Sequence, residues 1–112
     1  MENWKNYNFE SSSYSTPEFK QFSDDFAEYL IGTAPDNFKV LEIFTGHFYI
    51  SGFVVNDNDA IGYFSLSDVR YWDWYNEVLY RTAKSVKDFT GGSNNYTKLP
   101  NLWKSFEDLL KK

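Results

Sequence analysis

The fold turns on one stretch, Phe48-Tyr49-Ile50-Ser51-Gly52-Phe53-Val54-Val55-Asn56-Asp57-Asn58-Asp59-Ala60-Ile61-Gly62-Tyr63-Phe64. Two runs of β-branched and aromatic residues flank four consecutive Asn and Asp. That is how two strands joined by a tight turn look in sequence, because short polar side chains tolerate positive φ. The pattern predicts a strand from His47 to Val55, a turn over Asn56 to Asp59, and a strand from Ala60 to about Val69. It also predicts a register. With Val55 opposite Ala60, Phe53 would face Gly62 and Tyr63 would face Gly52. Each strand glycine would then lie beneath an aromatic ring from its neighbour.

Upstream, Phe38 to Phe44 reads as a further strand, closed by a turn at Thr45-Gly46. Before it, Phe19, Phe22, Phe26 and Leu30 recur at spacings of three and four, which places them on one face of a helix over residues 17–31. Thr16 is the expected cap, Pro17 suits the first helical position, and Gly32 is the expected stop. Residues 1–15, with Ser11-Ser12-Ser13, read as a mobile lead-in to a single domain over 16–112.

Downstream, residues 70–90 fit two patterns. Val69, Trp72, Leu79, Ala83 and Val86 trace a helical stripe, whereas residues 77–83 alternate as a strand. The strand is the favoured reading. Asp88 to Asn95 is a loop, and Asn95 to Leu99 a short edge strand. Asn101 is the expected cap of a closing helix through Leu110, with Leu102, Phe106, Leu109 and Leu110 on its inner side. The expected fold class is therefore α+β: an N-terminal helix, an antiparallel meander of four to five strands, and a C-terminal helix.

Composition narrows the chemistry. Among 112 residues 24 are aromatic, enough ring area to offset chain entropy in one modest core. No cysteine is present, which excludes disulfides, zinc–thiolate sites and cysteine nucleophiles. His47 is the single histidine, so any site needing two imidazoles is excluded as well. No apolar run reaches the roughly 20 residues of a membrane helix, and Met1 to Lys5 is too polar for a secretory leader. The expectation is a cytoplasmic chain with no membrane partner.

Four candidate sites follow. Asp57, Asp59, Gly62 and Asp68 sit at the first, third, sixth and twelfth places of a calcium loop, but Ile61 occupies a ligand position and the flanks are strands. A hairpin turn explains these residues, so no metal and no cofactor is expected. Carboxylate pairs such as Asp57 with Asp59 or Asp68 with Asp73 could do acid–base work. Solvated surface explains them equally, and so small a chain leaves little room for a pocket of several hundred Å³, so the expectation is a protein without catalytic residues.

The third candidate interleaves bases with rings from Arg70 to Lys98: Arg70, Arg81, Lys84 and Lys87 alternate with Trp72, Trp74, Tyr80 and Tyr96. Bases neutralise phosphates and rings stack on splayed nucleobases, as in single-strand binders. Acids in the same segment and a net charge of -5 oppose this. The fourth candidate is the acidic surface. Residues 1–69 hold eleven acids against three bases. Asp24, Asp25 and Glu28 on the first helix, with Asp57 and Asp59 in the turn, could imitate spaced phosphates and dock on a basic protein groove. Both faces of the second strand are apolar, with Phe48, Ile50 and Val54 on one side and Tyr49, Phe53 and Val55 on the other. A partner or a homodimer is expected to cover what the helices leave.

In size, acidity, aromatic and Asn bias and lack of cysteine, the chain resembles small accessory proteins of phages and conjugative elements of low-GC Gram-positive bacteria. The stretch Leu79 to Lys84 and on through Asp88 to Tyr96 carries the resemblance. Such proteins resemble inhibitors of host defence nucleases, including anti-CRISPR and antirestriction proteins, some of which mimic DNA. The resemblance implies a nuclease or another nucleic-acid-handling protein as partner. The function expected from the residues is thus a non-enzymatic protein-binding module, with a single-stranded nucleic-acid binder as the alternative.

Overall fold

The computed structural model describes residues 17–46, 48–66, 68–69, 74–86, 88 and 92–111. The expected lead-in, Thr16, His47, Arg70, Trp72 and Lys87 lie outside them. Helix α1 runs Pro17–Gly32. A five-stranded sheet follows: β1 Phe38–Thr45, β2 Ile50–Asn56, β3 Ile61–Leu66, β4 Val78–Ala83 and β5 Asn95–Thr97. Helix α2, Leu102–Leu109, closes the chain. The strands lie in sequence order, each antiparallel to the next. The α+β arrangement expected from the sequence is the one observed.

Helix α1 forms where its ring spacing demands. Phe19, Phe22, Phe26 and Leu30 are all buried. Phe19 meets Phe48 at 5.2 Å between ring centres, Phe22 meets Trp74 edge-on at 5.4 Å, and Phe26 meets Phe64 at 6.1 Å. The helix ends at Gly32, where the Thr33 hydroxyl donates to the Tyr29 carbonyl at 2.7 Å. Helix α2 packs beside it on the same side of the sheet. Trp103 and Phe106 meet Phe38 and Tyr80 at 5.3 and 5.8 Å. The Trp103 indole N–H donates to the Leu30 carbonyl at 3.2 Å, joining α2 to the last turn of α1. A short 3-10 turn over Leu99–Asn101, with Pro100 inside it, leads into α2. The Asn101 side chain makes no capping bond, contrary to expectation.

The register differs from the predicted one by a single residue. Val55 pairs with Ile61, Val54 with Gly62, Phe53 with Tyr63 and Gly52 with Phe64. The cause is Asn56. Its backbone N–H donates to the Ala60 carbonyl, while its side-chain oxygen accepts from the N–H groups of Asn58 and Ala60 at 2.9 and 3.0 Å. Asn56 thereby stays in the strand and stands opposite Ala60. The glycines do lie under rings, but under different ones. A Cβ on Gly52 would meet the Phe64 ring at 2.9 Å and the Glu42 carbonyl, and one on Gly62 would meet the Phe106 ring at 2.6 Å.

Other details of the strands also differ from expectation, β5 among them, which ends at Thr97 and not Leu99. β1 carries a bulge, since Val40 pairs with Val54 and Glu42 with Phe53, leaving Leu41 as the additional residue. β2 begins at Ile50 and not His47, because Phe48 adopts φ 61° in the connection. β3 ends at Leu66, after which the Val69 N–H donates to the Phe48 carbonyl at 2.9 Å. Between β3 and β4, Trp74–Asn76 makes one 3-10 turn that buries Trp74, and the strand reading of 77–83 holds with a start at Val78.

Candidate functional site

Both helices occupy one side of the sheet. Phe38, Ile50, Val54, Phe64, Leu66 and Val78 point toward them and are buried. By the alternation of strand side chains, the other side carries the intervening residues. The register aligns these in cross-strand rows. Glu42, Phe53, Tyr63 and Arg81 are successive partners across β1 to β4. Beside them run Phe44, Ser51, Ser65, Leu79 and Tyr96, across all five strands.

Rings of the two rows touch. Phe44 meets Phe53 edge-on at 6.0 Å, and Phe53 meets Tyr63 at 5.3 Å. The Arg81 guanidinium lies over the Tyr63 ring at 5.8 Å and donates from Nη1 to the Asn94 side-chain oxygen at 2.8 Å. Guanidinium over a ring is a favourable electrostatic contact, and the Asn94 bond fixes the fork. At the margins of this face, Phe44 is 41% exposed, Tyr49 45% and Tyr96 58%, and Leu41 stands out from the bulge. Between these margins the face is covered: Phe53 and Ser51 are buried and Tyr63, Ser65, Leu79 and Arg81 half-buried, so the apolar side chains left in water form a rim and not one open patch.

The acidic residues singled out from sequence do not gather in one place. Asp24 and Glu28 are exposed on the outer side of α1, opposite its buried rings, and Asp25 is half-buried at its flank. Lys20 pairs with Asp24 at 3.4 Å, and Gln21 donates to Asp25 at 2.9 Å, so part of that charge is engaged within the helix. Asp57 and Asp59 stand in the β2–β3 turn. That turn is tied by Asn56 to Leu110 at the end of α2, whereas Trp103 near its start meets the end of α1. Seven helical residues separate those two ties, roughly 10 Å along the axis.

The basic and aromatic candidates also divide. Trp74 is buried against Phe22, and Tyr80 packs on Phe106, so both rings belong to the helix side. Arg81 and Tyr96 are on the other side, and Lys84 is exposed just beyond β4. Sequence reasoning missed Glu42, Phe53 and Tyr63 as a row with Arg81. Its signal was present in the alternation of β2, but their alignment needs a register that the sequence gives only to within one residue.

Among the described residues, no group of three or more His, Cys, Asp or Glu is placed to hold a metal ion, and no helix is long and apolar enough to cross a membrane. Burial raises the Tyr29 phenol above its ordinary pKa of 10.0; the ring flanks the core and not the row. An open groove of about 390 Å³ lies at the turn end of the sheet. Comparison of the chain with protein-family models, with curated proteins and with solved structures returns no match.

Proposed function

We propose that this chain is a non-enzymatic protein-binding module that docks through the sheet face turned away from its helices. The observation that carries the reading is the rim of Phe44, Tyr49 and Tyr96, exposed in part, at the edges of a face whose central Phe53 is buried and whose Tyr63 and Arg81 are half-buried. Aromatic residues and Arg are the side chains enriched at the centres of protein interfaces, where they give large contact area at small entropy cost. A protein partner fits this face better than a nucleic acid. The row opens with the carboxylate of Glu42, Arg81 is its one base, and the chain carries a net charge of -5.

The absence of cysteine makes the test simple. Single cysteines at Phe44 or Tyr96, each bearing a photocrosslinker, are expected to give one discrete adduct in extract of the cells that make the protein. A cysteine at Ile31, 61% exposed on α1, serves as the control and is expected to give none. Equal labelling at all three positions, or none at the first two, overturns the reading.

A second reading rests on the outward position of Asp24 and Glu28, with Asp25 at their flank. In it, α1 presents carboxylates to a basic groove of a nucleic-acid-handling protein, as a phage or mobile-element inhibitor of a nuclease would. Both readings make the chain a docking protein; they differ in which side faces the partner.

A further inference from the structure

The sheet has two edges, and they are unlike. β5 offers three residues, whereas β1 offers eight, Phe38–Thr45. In an antiparallel ladder successive residues turn their N–H and C=O groups to opposite sides. The Asn56 N–H bonds Ala60 across the β2–β3 turn, so Val55 and Phe53 bond toward β1, and their partners Lys39 and Glu42 bond back. The Gly46 N–H, bonded to the Tyr49 carbonyl at 3.0 Å, sets the same phase for Phe44. Phe38, Val40, Ile43 and Thr45 therefore aim their backbone groups away from β2. The Phe38 N–H is taken by the Pro35 carbonyl at 3.0 Å. Among the described residues, no partner meets the outward groups of Val40, Ile43 and Thr45.

These four residues share the helix side of the sheet, since they stand opposite Asn56, Val54, Gly52 and Ile50. Their spacing along the strand is two, three and two, the same read from either end, and the step of three is the bulge at Leu41. A second copy laid antiparallel along this edge sets Phe38 opposite the partner's Thr45 and Val40 opposite the partner's Ile43. The same pairs repeat across a two-fold axis. The additional residue of one bulge faces that of the other, so the ladder stays in step from end to end. On the side away from the helices, Lys39 then stands opposite the partner's Phe44 and diagonal to the partner's Glu42, within reach of a long side chain. Lys39 and Glu42 are both exposed and, among the described residues, make no ion pair. A lysine and a bulge usually guard an edge strand against pairing. Here a carboxylate matches the lysine, and the bulge sits at the axis of symmetry with Leu41, 40% exposed, beside it.

We propose that β1 pairs with β1 of a second copy, joining the two sheets into one continuous sheet with the helices of both copies on the same side. Backbone bonds close the open edge, and two symmetric Lys39–Glu42 pairs fix the register. The inference stands apart from the docking reading, because it uses the edge of the sheet and needs only this chain.

The test is sedimentation velocity of the purified chain over a concentration series up to about 1 mM, where a dimer is expected. Thr45→Pro removes an outward donor from an exposed position of an edge strand, where proline is tolerated, and is expected to weaken the dimer at least about tenfold. Lys39→Glu and Glu42→Lys are each expected to weaken it at least about threefold, and the two together to restore it. Circular dichroism reports whether each variant keeps its fold. The charge swap, confined to exposed side chains, decides the matter if the proline variant does not fold. The proposal is overturned by a monomer throughout the series, by a dimer indifferent to a folded Thr45→Pro, or by a double variant no more dimeric than the singles.

Discussion

Phe48 carries two opposed demands. Its ring is fully buried against Phe19, yet its backbone takes φ 61°, a region that disfavours a side chain with a Cβ. Deleting the ring costs about 3–5 kcal/mol of core packing, while the left-handed backbone of a non-glycine residue costs roughly 1–2 kcal/mol. Phe48→Gly should therefore be less destabilised than Phe48→Ala by about 1 kcal/mol, although it removes one more carbon. Paired urea denaturation curves decide it, and a Gly variant no more stable than the Ala variant would show that the backbone is not strained. Phe48 was legible in sequence as a core residue of the second strand, but not as a break in it. Nothing in local pattern announces a bulky residue at positive φ, because the burial that enforces it comes from α1.

At the scale of elements, both helices and the first three strands could be read from periodicity and turn residues, β4 only as the favoured of two patterns, and the register not at all. The two strand glycines show why. Gly52 is required by a backbone oxygen from the β1 bulge and by the Phe64 ring, and Gly62 by Phe106 of α2, far along the chain. The sequence reading took its register from a turn over Asn56 to Asp59, and Asn56 stays in the strand, so the predicted partners were one residue off. Gly62→Ala should destabilise by about 1–3 kcal/mol, because Phe106 is fully buried and has no room to retreat. Gly32→Ala is the contrast. A Cβ there meets nothing within 4 Å, so stability should hold or rise by about 0.5–1 kcal/mol in the same urea assay. A Gly62→Ala protein as stable as the parent would mean that α2 does not press on β3.

For the whole molecule, the candidate sites were legible as residue types and not as places. Asp24, Asp25 and Glu28 emerged together, since a helix face is written in spacing; Asp57 and Asp59 were grouped with them on charge alone and stand at the far end of α2. Trp74 and Tyr80 read as available rings, and tertiary packing placed them against Phe22 and Phe106. The two sides of the molecule can be separated by charge. Lys at both Asp24 and Asp25 should leave adduct formation at position 44 unchanged to within about twofold if the sheet face is the docking surface, because exposed charges at a distance act weakly at physiological salt. Glu at Arg81 should reduce it at least about tenfold, the scale of losing a guanidinium anchor. The opposite pattern assigns docking to α1. A final consequence lies in the plain strand order. Every strand hydrogen-bonds to the one made just before it, and the connections at 46–49 and 57–60 are short. No pairing has to wait for a distant segment to arrive, so the loop-closure entropy of each step is small and the contact order is low for a sheet protein. The sheet can be laid down hairpin by hairpin as the chain leaves the ribosome, with α2 the last piece to land.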